Sequence, residues 1–408
     1  MQLSVIVPAF NAEDTIADTL QSLVAQTCPH WEAIVVDDGS TDGTTRIVST
    51  FMERDNRFRL LRQQNLGESG ARNSGIRLAR FDWLLFLDSD DWILPLHLER
   101  LAGVVKNDPA LDAAHCGWTY VTPDGQYVFE SFGEKTGDLF AEHANYCFSI
   151  VHTYIVRRSL VEEAGGFDLS LRTCADWDLW QRIARTGARF GAVPETLAVY
   201  RIRAGSATRD GLQLLIDGLR VLEQGHAPDP RVSRPHPLHE NGLRNRQLPR
   251  RKFELACACA GYLIGGGKDA LPLLDLLRGE YCPNLDAYSV ANCLFRHTLV
   301  SSSRPLSEWS TVWHNFNKPV DDFSVALEAA SGTPDLARRV HSLLRYLISS
   351  YAVDPGLATR ARSLGARAML RVHRHATRYS YQIRQLLKRL VGIPSGSDPI
   401  MGKRQNDD

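Results

Sequence analysis

Short apolar runs alternate with segments of helical periodicity from residue 3 to residue 87, and this alternation restricts the fold more than any other feature. Leu3 to Val7 is a β-branched run, and residues 13 to 27 follow with apolar positions at Ile16, Leu20, Leu23 and Val24. The pattern repeats as a strand at Ala33 to Val36, a helix from about Thr41 to Met52 and a strand at Phe58 to Leu61. A helix from about Glu68 to Arg80 and a strand at Trp83 to Leu87 complete it. Such a chain is predicted to be α/β, with a mainly parallel, Rossmann-like sheet covered by helices on both faces. Ligands bind such sheets beyond the carboxyl ends of the strands, so the residues just after each strand are the ones to inspect.

Those residues are Pro8-Ala9-Phe10-Asn11, Asp37-Asp38-Gly39-Ser40 and Asp88-Ser89-Asp90-Asp91. One acidic cluster alone is explained by helix capping, and Asp42 reads that way. Carboxylates converging from two strand ends repel one another, and a cation or a hydrogen-bonding ligand is the natural means of holding them together. Further on, the spacing predicts a helix from Pro95 to Lys106, a strand from Ala113 to Trp118 and a hairpin around Thr122 to Gln126. A turn at Gly165 to Asp168, a helix of about Ala175 to Thr186 and a strand from Thr196 to Arg201 follow. That helix carries Asp176 and Asp178.

From about residue 207 helical segments alternate with loops rich in Pro, His, Arg and Asn. With 408 residues the chain exceeds a single ordinary core, and the expected division is a catalytic domain over 1–210, a linker over 211–250, an α-helical accessory domain over 251–393 and a disordered tail over 394–408. Between Gly356 and Ile393 there is no acidic residue, and Ile383, Leu386, Leu387, Leu390 and Val391 recur at helical spacing among arginines, which predicts a basic amphipathic helix. It fits peripheral contact with an anionic membrane, or a helix packed on its own domain with a solvated basic face. Basic and acidic residues both total 47, which gives no case for nucleic acid as a partner. The start lacks the features of an export signal, so a cytoplasmic protein is expected, at the inner face of the membrane if the basic helix docks there. The eight cysteines form no C-x-x-C and read as reduced, buried thiols rather than a zinc cluster.

Ser4 to Asn11, Val36 to Asp42, Gly67 to Gly75 and Leu87 to Asp91, in that order, resemble the signature of family 2 glycosyltransferases over about residues 1–206. The resemblance implies the GT-A fold and inverting transfer of a sugar from a nucleoside diphosphate donor, a UDP-sugar first among them, to a hydroxyl acceptor on a glycan, a lipid-linked saccharide or a protein. It implies a divalent cation, Mn²⁺ or Mg²⁺, which neutralises charge on the leaving phosphate. Asp88-Ser89-Asp90 has the family's D-x-D form, with Asp90 as metal ligand and Asp88 in support. Pro8, Ala9, Asn11, Asp37 and Asp38 would line the nucleoside pocket, and Gly67, Arg72 and Asn73 would reach the diphosphate or base; Arg72 can equally pair with one of the acids.

The catalytic base sits in the family's E-D-x-[DE] segment, here Ala175-Asp176-Trp177-Asp178 with alanine replacing the first acid. Asp176 is the expected base and Asp178 the alternative; two residues apart on a helix, they cannot both face one hydroxyl. Where relatives carry histidine in a Y-R-x-H segment this chain has Arg203, which cannot bind metal but can pair with a diphosphate. These two departures keep open a degenerate domain that binds nucleotide sugar without turnover.

Overall fold

The computed structural model describes residues 1–351 except 204, 205, 207, 208, 245, 246, 306 and 307. Met1–Ile348 form one compact unit. The predicted basic helix and the predicted tail lie outside the described residues.

The strands are β1 (Leu3–Ala9), β2 (Trp31–Asp37), β3 (Phe58–Arg62), β4 (Trp83–Phe86), β5 (Trp92–Ile93), β6 (Ala113–Val121), β7 (Tyr127–Ser131), β8 (Gly137–Asp138), β9 (Tyr154–Arg157) and β10 (Arg189–Arg201). They form one sheet in the order β3-β2-β1-β4-β9-β6-β10-β5, with β7 paired to β6 and β8 to β10. The four strands β3, β2, β1 and β4 are parallel, as the sequence pattern predicts. The sheet as a whole is mixed, because β9 runs antiparallel to both neighbours, β4 and β6. β9 enters from a short helical turn at Val151–Thr153, so it does not arrive through the helical crossover that a parallel strand requires.

The helices are α1 (Ile16–Val24), α2 (Thr44–Arg54), α3 (Gly67–Leu78), α4 (His97–Asn107), α5 (Phe140–Asn145), α6 (Arg158–Glu163), α7 (Ala175–Arg185), α8 (Gly211–Gly225), α9 (Leu248–Gly265), α10 (Ala287–Ser302), α11 (Trp309–Val312), α12 (Asn317–Ser331) and α13 (Leu336–Tyr351). β1 and β2 are buried at every position, which is why they read as continuous apolar runs. Their side chains alternate between two cores. Val5, Val7, Ala33 and Val35 join Leu20 of α1, Val48 of α2 and Leu101 of α4 on one face. Ile6, Ile34 and Val36 join Ala71 and Ile76 of α3, Trp177 and Trp180 of α7 and Val221 of α8 on the other.

α3 lies close on β1 because Gly75 has no side chain: a Cβ there would sit 2.4 Å from Ile6 Cγ2. Ile6 is β-branched and cannot swing aside. Gly75→Ala is expected to destabilise the protein by about 1–3 kcal/mol, read as a lowered urea midpoint at unchanged m-value.

The segment read as a linker, 211–250, carries α8, which is capped by Asp210 accepting from the Gln213 amide at 3.2 Å. α8 also reaches the loop before α7: Asp217 Oδ2 accepts from the Thr173 amide at 2.9 Å and the Arg172 amide at 3.1 Å. α9 and α10 approach through small residues, since a Cβ on Gly265 would meet the Thr298 carbonyl at 2.4 Å. Phe295, Trp309 and Trp313 close a further apolar cluster, with ring centroids 5.1–5.7 Å apart. None of the helices among the described residues is long and apolar enough to cross a membrane.

Candidate active site

The parallel strands deliver their carboxyl ends to one edge of the sheet. Pro8 and Ala9 remain buried inside β1, so they form the floor of the site; the projecting side chains are those of Phe10, 52% exposed, and Asn11. Asn11 adopts a left-handed backbone at φ 48°, which asparagine tolerates better than most residues. Its amide donates to Ser40 Oγ at 2.9 Å, and its Oδ1 accepts from the Thr41 amide at 2.9 Å. These bonds tie the end of β1 to the loop after β2.

Asp37 is fully buried and accepts from the Ser40 amide at 2.9 Å and from the Thr45 hydroxyl. Burial pushes its carboxyl up, but the hydrogen bonds from Ser40 and Thr45 outweigh this and hold it below the usual range. Asp37 thus holds the turn after β2 from within. Asp38 accepts from Gln63 Nε2 at 2.7 Å and from the Leu66 amide at 2.9 Å, which leaves it with spare acceptor capacity. Asp42, expected as a cap, lies one residue before the α2 N-cap Gly43 and accepts from the Thr44 amide at 3.0 Å.

At the start of α3, Gly67 has φ 77°, a conformation that favours glycine. Arg72, one turn on, is almost completely buried, and its Nη2 donates to Asp88 Oδ1 at 2.5 Å and to the Glu68 carboxylate. Of the two alternatives open for Arg72, pairing with an acid is thus realised. Asn73 is spent on structure: its Nδ2 donates to the Phe167 carbonyl at 2.9 Å, and its Oδ1 accepts from the Phe167 amide at 2.8 Å. Glu68 is a site residue that the sequence motifs did not single out. The Arg72 guanidinium lowers its carboxyl, while the charges of Asp88, Asp176 and Asp90 raise it; the side chain itself stays half exposed.

The Asp88 to Asp91 loop is pinned to α1, since the Thr15 hydroxyl donates to the Ser89 carbonyl at 2.9 Å and the Thr19 hydroxyl to the Asp91 carbonyl at 2.7 Å. Asp88 and Asp90 keep partly exposed side chains, 23% and 28%. Burial and the neighbouring Asp88 charge raise the Asp90 carboxyl. Arg203 Nη1 lies 3.2 Å from Asp90 Oδ2 and is the cation that opposes this. Each of the two carboxylates is paired with one guanidinium and keeps exposed oxygen-bearing surface, and such donors suit a hard divalent cation.

Asp88 also groups with Asp91 and His152, whose candidate ligand atoms all lie within 4.8 Å of one another. Asp91 and His152 are buried, whereas Asp88 and Asp90 keep exposed side-chain surface. In the tautomer that donates Nε2–H to the Val199 carbonyl at 3.2 Å, His152 turns its Nδ1 lone pair to Asp91 Oδ2 at 3.4 Å. Burial raises Asp91 well above the carboxylate range and lowers His152 to about 4, which favours a neutral acid on a neutral imidazole. No sequence spacing relates His152 to Asp91; the fold alone brings them together.

α7 separates its two acids. Asp176, in the first turn, is half-buried, and its Oδ1 accepts from the Trp177 amide at 2.8 Å. Burial raises its carboxyl, the Arg72 charge lowers it and the Asp88 charge raises it, leaving it above the ordinary value. Asp178 is fully buried and holds Arg182 through Nε at 2.9 Å and Nη2 at 2.6 Å, with Arg231 Nη2 at 2.8 Å. It faces away from solvent and anchors the 229–231 loop. Asp178→Ala would leave two guanidiniums short of a partner, and a loss of about 3–5 kcal/mol in urea unfolding is expected; a loss under about 1 kcal/mol would contradict this placement.

The family model described as glycosyl transferase family 2 matches residues 4–165. TuaG of Bacillus subtilis (strain 168), a putative teichuronic acid biosynthesis glycosyltransferase, is 31% identical over 205 residues, which are 49% of this chain and 79% of TuaG. The succinoglycan biosynthesis protein ExoO of Rhizobium meliloti (strain 1021) is 32% identical over 217 residues, 50% of this chain and 62% of ExoO. The uncharacterized glycosyltransferase EpsJ of Bacillus subtilis (strain 168) is 33% identical over 217 residues, 50% of this chain and 62% of EpsJ. This chain thus spans less than two thirds of the length of several curated relatives that it matches. Among solved structures, S. aureus TarS superposes with a TM-score of 0.50 at 20% identity, over 74% of this chain and 55% of TarS, a likeness of fold.

Proposed function

The chain belongs to glycosyl transferase family 2, and from that premise we propose that it transfers a sugar with inversion from a nucleoside diphosphate donor to a saccharide-bearing acceptor in surface polysaccharide or glycoconjugate synthesis. The observation that carries the reading is the convergence of Asp88, Asp90, Arg72, Arg203 and Asp176 at one sheet edge, each bonded to or within electrostatic reach of another.

The exposed ring of Phe10 offers a stacking face for the base, and Asp38 and Asn11 offer acceptors beside it. A uridine diphosphate sugar is the first donor to test. Arg203 is the cation that would meet the diphosphate, and the buried Arg72 would hold Asp88 in place. Asp90, with Asp88 in support, would hold Mn²⁺ or Mg²⁺, which when bound supplies neutralisation of the leaving phosphate. Arg203 then exchanges its carboxylate partner for a phosphate oxygen. Asp176 accepts the proton of the attacking hydroxyl from the side opposite the leaving group. Its carboxyl is raised by burial, which makes it a stronger proton acceptor than a free aspartate once ionised. Asp178, its acceptor atoms taken by Arg182 and Arg231, serves α7 rather than the reaction.

The catalytic assignment falls on residues 1–210, with the 251–393 region as an accessory module and membrane contact by its basic end. Calorimetric titration with UDP, GDP and CMP in Mn²⁺, and again in excess EDTA, tests the donor half. One nucleotide is expected to bind with Mn²⁺ and to weaken on chelation; equal affinity with and without metal would remove the cation from the reading.

A further inference from the structure

We propose that Asp217 of α8 is a positioning residue for the reaction: it holds Cys174 in the left-handed backbone from which α7 starts and so places the carboxyl of Asp176, two residues on. This rests on the reading of Asp176 as the general base and extends the working part of the site to a helix beyond residue 210.

α7 begins without a side-chain cap. Its N-cap residue, Cys174, makes no capping hydrogen bond and sits at φ 58°, ψ 12°, a conformation that is uncommon for a residue with a Cβ. Among the described residues four that are not glycine have such a backbone, and two of them, Asn11 after β1 and Cys174 before α7, belong to loops of the site. An unfavourable backbone persists only where its surroundings impose it. The Cys174 carbonyl accepts from the Asp178 amide at 2.9 Å, so the orientation of its peptide sets the first turn of α7, and that turn carries Asp176.

α8 is what imposes it. Asp217 is 5% exposed, and its Oδ2 takes three bonds from the two residues before Cys174: from the Arg172 amide at 3.1 Å, the Thr173 amide at 2.9 Å and the Thr173 hydroxyl at 2.9 Å. Gln213 Nε2 donates to Asp217 Oδ1 at 3.0 Å and fixes the carboxyl from its other side. The Cys174 thiol itself donates to the Leu214 carbonyl at 3.8 Å. Further along, Gln181 Nε2 donates to the Val221 carbonyl at 3.0 Å and Arg185 Nη2 to the Gln224 carbonyl at 2.6 Å, so α7 is tied to the same helix along its length. Residues 172–174 cannot relax toward ordinary backbone angles without breaking the Asp217 bonds. Once released they would turn the first turn of α7 and shift Asp176, and a misplacement of about 1 Å at a reacting group costs on the order of 10²-fold in rate. α8 lies beyond the 4–165 family match and no motif spacing points to Asp217; only the fold brings it to the base helix.

Kinetics on the full chain with Mn²⁺ test this, using UDP-glucose, UDP-galactose, UDP-N-acetylglucosamine and GDP-mannose with methyl glycoside acceptors and reading nucleoside diphosphate release. Rates are taken per nucleotide-binding site, counted by calorimetry with UDP and GDP, so that a loss of folded protein does not register as a loss of kcat. Asp217→Ala is expected to lower kcat by about 10–100-fold while donor KM and nucleotide affinity stay within about twofold of wild type. Adding Cys174→Gly, which takes up the left-handed backbone without a Cβ to oppose it, is expected to raise kcat at least about threefold above that of Asp217→Ala. Thr173→Val, which keeps its shape but loses the hydroxyl bond to Asp217, replaces Asp217→Ala in both measurements should the latter bind no nucleotide. A folded Asp217→Ala variant with wild-type kcat, or a Cys174→Gly addition that restores nothing, overturns the positioning role. A wild type that turns over none of the donors overturns instead the glycosyltransferase reading beneath it.

Discussion

Asp176→Asn is expected to lower acceptor-dependent transfer by about 10²–10⁴-fold, the range that general-base removal costs, while donor affinity stays near wild type. The substitution keeps the size of the side chain and its ability to accept from the Trp177 amide, so α7 should start as before. What it removes is the proton acceptor. The wild-type pH profile should show the same group. Asp176 is raised by burial, an effect only partly offset by Arg72, and it must be deprotonated to act. Activity should therefore be full above its pKa and fall as pH drops through a value higher than that of a free aspartate. The asparagine variant should lack this acid limb.

Asp90→Ala is expected to abolish the metal dependence of donor binding and to cut turnover by about 10²–10³-fold, since Lewis-acid neutralisation contributes several kcal/mol to charge development on a leaving phosphate. Asp90 is partly exposed, and its ion pair with Arg203 spans 3.2 Å, so the variant should unfold close to the wild-type denaturant concentration. Loss of activity without loss of stability separates Asp90 from Asp178, whose removal should do the reverse first. Urea titrations and nucleotide calorimetry on the two variants make that comparison.

The first half of the sheet was legible in the sequence because β1 and β2 are buried on both faces and must be apolar throughout. The D-x-D loop was legible because it follows immediately on such a strand, and the α7 acids because their stretch resembles the family's E-D-x-[DE] segment. β5, β8 and β9 were not: two to four residues long, they carry no periodicity, and β9 owes its place to partners far away in sequence. The choice between Asp176 and Asp178 could be posed from their spacing, but only the fold shows that Asp178 is closed off by Arg182 and by Arg231, 53 residues away. Glu68 had a signal in its i, i+4 spacing to Arg72, which reads equally as a surface pair until Asp88 is seen on the same guanidinium. Asn73 sits within the motif stretch, yet its amide is committed to Phe167 by a contact across 94 residues.

The most direct measurement follows a panel of nucleotide sugars by proton NMR in the presence of Mn²⁺ and a glycoside acceptor, reading donor loss, nucleoside diphosphate release and the anomeric signal of the product together. The account predicts that one donor is consumed only with metal, that its nucleoside diphosphate appears, that the new anomeric centre is inverted relative to the donor, and that Asp176→Asn abolishes the product signal. A product of retained configuration, or an Asp176→Asn variant as active as the wild type, would contradict it.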